Sequence, residues 1–77
     1  MARIEFDSSD YQNSHGRGPR GWGVWAFHFD TDSGRQTRDP WFTPHAMSFA
    51  KAKQAAKAEA RRMAGDFDGV VFVCVQP

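Results

Sequence analysis

Seventy-seven residues make one small domain, 1–77, and leave no room for a second. Ten Lys and Arg against nine Asp and Glu give a net charge of +1, which excludes a protein that coats nucleic acid by charge alone. One cysteine excludes an internal disulfide framework and a CxxC zinc site. No apolar run is long enough to span a bilayer, and the opening residues hold no signal-peptide core. These features predict a soluble protein of a reducing cytoplasm with no membrane partner.

The hydrophobic fraction of 40% contains no leucine and one isoleucine, Ile4; ten alanines, seven phenylalanines, five valines and three tryptophans supply most of it. Volume in a core must still be filled, so this composition predicts large rings set against alanine surfaces.

In chain order, residues 3–6 alternate polar and apolar and read as a short strand. Residues 7–21 are rich in Ser, Asp, Asn, Gly and Pro and read as one long loop. The span 22–30 is the clearest strand: Trp25, Phe27 and Phe29 share one face, and Trp22, Val24, Ala26 and His28 the other. Turn chemistry at 31–34 leads into a return strand over 35–42, where Pro40 cannot donate to a ladder and so marks an edge or a bulge.

Either Thr43-Pro44 or Ser48 can start the helix that follows. Phe49, Ala52, Ala56, Ala60 and Met63 form its apolar stripe, and Gly65 ends it. Lys51, Gln54, Lys57, Arg61 and Arg62 lie on the opposite side. After Gly69, the run Val70–Val75 reads as a strand covered on both faces, placed centrally by the helical crossover. The fold class is therefore α+β: a three- to four-stranded, mainly antiparallel sheet with one Ala-rich helix on one face, in the order β-β-β-α-β. One helix covers one face only. The other, expected to show Trp22, Val24, His28 and one side of the last strand, is an apolar patch suited to a partner or a homodimer, unless the N-terminal loop folds across it.

Chemistry-bearing constellations are few. The segment 16–21 matches G-x-G-x-x-G in form, but a loop precedes it, a strand follows it, and Pro19 removes an N–H, so the dinucleotide mechanism fails. What remains is a loop carrying Arg17 and Arg20, suited to phosphate or carboxylate. His15, His28 and His45 lack the tight spacing of metal pairs, so no metal or cofactor is expected. Cys74, inside an apolar strand, reads as small hydrophobic filler with no base beside it. Seven scattered aspartates do not form a paired-carboxylate site. Nothing here predicts an enzyme.

The stretch Gly21-Trp22-Gly23-Val24-Trp25-Ala26-Phe27, the turn to Arg35, Trp41-Phe42-Thr43 and the Ala-rich 52–65 resemble the plant AP2/ERF DNA-binding domain in pattern. That likeness implies a sheet reading the DNA major groove, with Arg20, Trp22, Arg35 and Trp41 toward DNA. The dense basic run of that family's first strands is missing, and the last strand is additional. In size and plan the chain also looks like the small phage or prophage inhibitors of host defences, anti-CRISPR proteins among them.

The leading expectation is a non-enzymatic protein that docks on a protein or nucleoprotein partner, in its concrete form a phage-type inhibitor in the host cytoplasm. Its contact residues are Arg17, Arg20, Trp22, His28, Arg35, Arg38, Trp41, Lys51, Lys57, Arg61 and Arg62. The alternative is direct DNA or RNA binding by the sheet face and the arginines. Residues 48–65 carry five basic side chains and one acid, a net +4, and the rest of the chain a net −3. Near-neutrality thus hides a basic helix on a mildly acidic sheet.

Overall fold

The structure, a computed structural model, describes residues 2–16, 18–32 and 40–76. Arg17, Arg35, Arg38 and most of the expected return strand lie outside the described residues. The elements run β1 (Arg3–Asp7), α1 (Ser9–His15), β2 (Trp22–Gly23), β3 (Ala26–Thr31), β4 (Trp41–Phe42), β5 (Met47–Ser48), α2 (Phe49–Ala64) and β6 (Val70–Val75). The main sheet has the order β1-β6-β3-β4, with β1 parallel to β6 and the other two pairings antiparallel. β2 and β5 form a separate two-stranded sheet. The α+β class is as expected, and so is the central place of β6, which can be buried on both sides because a helix carries the chain across.

Register fixes which side chains share a face. Phe27, Phe29, Val71, Val73 and Val75 point to the inner face, where Ala52, Ala56 and Ala60 of α2 meet them, all buried. Phe6 pairs with Val73 and Ile4 with Val71, so β1 extends this face. Alanine on the helix lets its backbone come close to the sheet, and the rings of Phe27, Trp41, Phe49 and Trp25 fill the volume around it. Met63 departs from the expected stripe and is about half exposed, because it stands one residue from the helix end, beyond the last buried alanine.

Three other expectations are corrected. The span 7–21 is not one loop: α1 forms within it. Asp7 accepts from the backbone N–H of Ser9 at 2.9 Å and from its hydroxyl at 2.7 Å, and Gly16, at φ 72°, donates its N–H to Gln12 at 2.8 Å and closes the C-terminus. Tyr11 stacks on His15 one turn on, at 4.1 Å, and packs against the core beside Trp25. A helix of seven residues has little stability alone, so this docking holds it.

The span 22–30 is not one strand. At Trp25 the N–H donates to the Thr43 hydroxyl at 3.0 Å, while the Thr43 N–H donates to the Trp25 carbonyl at 2.9 Å. A side-chain oxygen here replaces a ladder carbonyl, which frees the chain to swing away. Trp22 and Gly23 pair instead with Ser48 and Met47.

The outer face of the main sheet is not purely apolar, because acids stand there among Ala26, Phe42, Val70 and Phe72. Its rows read Glu5–Phe72–Asp30 and Asp7–Cys74–His28, with Arg3 beside Val70 and Asp32 beyond. Four acids therefore share this face, and Trp22 and Val24 lie off it.

Candidate functional site

Two places gather the chemistry-bearing residues. The first is the strap formed by β2 and β5 at the start of α2. Gly21, at φ 101°, turns its carbonyl to accept the Phe49 N–H at 3.0 Å, and the Ser48 side chain caps the helix by accepting from the Lys51 N–H at 3.4 Å. Ser48 is thus the helix cap. The indole N–H of Trp25 donates to the Met47 carbonyl at 3.1 Å and fastens the strap from inside. Trp22 stands on this strap 72% exposed, with Val24 59% exposed and Arg20 exposed two residues before it. An anchored backbone presenting a large exposed ring differs from a loose loop, because little entropy is left to lose on contact.

The basic side chains of α2 divide. Arg62 makes a bidentate pair with Glu59, both bonds 2.7 Å, and Lys53 lies over the Phe6 ring at 4.6 Å from its centre. The Arg62 guanidinium holds the Glu59 carboxyl below its ordinary range. Lys51, Lys57 and Arg61 have no ion pair among the described residues. Lys57 and Arg61 sit one turn apart on the helix exterior. Trp41 faces inward instead, its ring 6.2 Å from Phe27 and 6.5 Å from Phe29, and so belongs to the core edge. His45 is exposed and meets its neighbour's carbonyl at 3.0 Å, and His15 stacks on Tyr11.

The second place is the middle of the outer face, where sequence reasoning saw no constellation. His28 and Asp30 are two apart on β3, so alternation puts them side by side, and Cys74 is the register partner of His28 on β6. Cys74 is buried, 6% exposed, yet stands outside the apolar core cluster. Its thiol donates to Asp30 Oδ2 at 3.7 Å, and His28 Nε2 lies 3.7 Å from the same oxygen. The three ligand atoms all fall within 4.8 Å of one another. The Gln76 side-chain amide meets His28 Nδ1 at 3.0 Å. Asp30 Oδ1 is buried with no hydrogen-bond partner among the described residues. The spacing of His28 and Asp30 was legible as a shared face; the pairing of β3 with β6, which delivers the thiol, was not.

Among the described residues, no helix is long and apolar enough to cross a membrane. No family model matches the chain, and no curated protein or solved structure matches it either.

Proposed function

We propose that this is a non-enzymatic binding protein that docks on a protein or nucleoprotein partner through the β2–β5 strap and the basic exterior of α2. The exposed Trp22 carries the reading: the largest apolar side chain type stands 72% exposed on an anchored strand, with Val24 beside it. Tryptophan and arginine dominate interface energetics once a partner desolvates them. Arg20 supplies positive charge two residues before Trp22, and Lys57 and Arg61 supply more further along α2. A phage-type inhibitor of a host defence complex is the concrete form of this reading. The small size and the sheet-plus-helix plan support it.

Nucleic acid is the competing occupant. Support for it is confined to the strap and helix, because the outer sheet face carries Glu5, Asp7, Asp30 and Asp32, which repel phosphates. The test is capture from a cytosolic extract by the immobilised full chain, followed by affinity measurement on the enriched partner. Trp22→Ala should weaken that affinity by about 30-fold, roughly 2 kcal/mol. The double variant Lys57→Glu/Arg61→Glu should weaken it about 10-fold and flatten its salt dependence. A partner held equally by the wild type and by Trp22→Ala would sink the proposal. Capture abolished by nuclease, with steep salt dependence on purified DNA or RNA, would replace it by the nucleic-acid reading.

A further inference from the structure

We infer that His28, Asp30 and Cys74 form a binding site for a divalent transition metal ion, with Zn2+ the best fit. The donor set is one imidazole nitrogen, one carboxylate oxygen and one thiol sulfur, the mixture that a borderline-soft ion accepts. In a tetrahedral zinc site the bonds of about 2.0–2.3 Å place ligand atoms about 3.3–3.6 Å apart. Here two of the separations are 3.7 Å and all lie within 4.8 Å, so small side-chain rotations close the set. The backbone supplies the rest, since neighbouring strands of a sheet hold the three Cβ atoms in fixed register.

Three further observations point the same way. Asp30 Oδ1 is a buried carboxylate oxygen without a hydrogen-bond partner among the described residues, an arrangement that a bound cation relieves. The Gln76 amide nitrogen stands 3.0 Å from His28 Nδ1, and turning the amide over places its oxygen there to accept an Nδ1 proton. In that orientation the Nε2 lone pair faces Asp30 and Cys74, the usual outer support of a metal-bound histidine. Asp7 lies on the same face and adds negative potential, while Glu5 there is paired with Arg3 at 2.6 Å. The side chains of His28 and Asp30 keep 16% and 30% exposure, which leaves an ion a way in. A carbon electrophile has no comparable access to the buried sulfur.

The step balances simply. The S–H bond of Cys74 breaks, its proton leaves to solvent, and a sulfur–metal bond forms with no change of oxidation state. Thiolate and carboxylate together neutralise the dication. Three protein ligands leave a fourth position for water.

The test uses the untagged full chain, reduced and stripped with a chelator, then titrated separately with Zn2+ and Co2+. One equivalent should bind. The cobalt form should show the intense visible bands of a tetrahedral ion and a near-ultraviolet thiolate charge-transfer band. Cys74→Ser should remove the charge-transfer band, and Cys74→Ser, His28→Gln and Asp30→Asn should each weaken Zn2+ at least about 10-fold, with Gln76→Ala losing about 10-fold. His45→Ala should change nothing. A pale octahedral cobalt spectrum without charge transfer overturns the site on the wild type alone, whatever the variants do. Equal Zn2+ affinity in Cys74→Ser, or loss of binding in His45→Ala, overturns it as well.

Discussion

Asp7 shows how much one side chain settles in a small domain. It ends β1, faces outward in the Cys74 row, and holds the first turn of α1 through Ser9. The backbone and side-chain hydrogen bonds from Ser9, in that order, hold its carboxyl below the ordinary value, with a smaller pull from the charge of His28. A lowered native pKa means stability that is complete above the unfolded carboxylate range and lost as pH falls through the native value. Asp7→Asn should therefore cost stability at about pH 7 and cost less at about pH 3, where the wild-type carboxylate is itself being protonated. Urea midpoints at the two pH values check this; an equal gap at both would show that the charge is immaterial. At this scale the sequence was partly legible. Phe27 and Phe29 could be assigned to the core by alternation alone. The environment of Cys74 could not, because an apolar run looks the same whether its alternate side chains meet a helix or a row of carboxylates.

At the scale of elements, α2 was readable nearly to the residue, since alanine spacing, Ser48 and Gly65 agree on its limits. α1 was hidden because its stability comes from Tyr11 docking rather than from its own composition. The strap was hidden for a related reason: Trp22–Gly23 reads as the start of β3, and only the hydrogen bonds of Thr43 to Trp25 show where the ladder breaks. Gly21 is its conformational hinge. At φ 101°, an alanine is strained whatever space surrounds it, so Gly21→Ala should cost about 1–2 kcal/mol and loosen the start of α2. An unchanged denaturant midpoint would show that another residue sets the strap.

For the whole molecule the charge is polarised through the sheet. α2 packs on the inner face with Lys51, Arg61 and Arg62 exposed on its other side, and four acids occupy the outer face. The outer face mixes these acids with Phe42, which is 58% exposed, and with Phe72, so a homodimer through it would have to bury carboxylates beside its rings. Two copies meeting there would bring Glu5, Asp7, Asp30 and Asp32 against their equivalents. Sedimentation at low salt and about 100 μM should show a monomer. A dimer lost on Asp30→Lys would contradict this.

The position of β6 also governs how the chain is assembled during synthesis. The strand that joins β1 to β3 follows every other strand in the sequence, and Arg3 must wait for Val70. Until Val70–Val75 emerges, β1 has no neighbour in the sheet and β3, though it can pair with β4, keeps its other edge open. The sheet is therefore completed late, with contacts of long sequence separation and a correspondingly slow search. A break within the last strand removes the middle of the sheet, where a break at β4 would only trim its border.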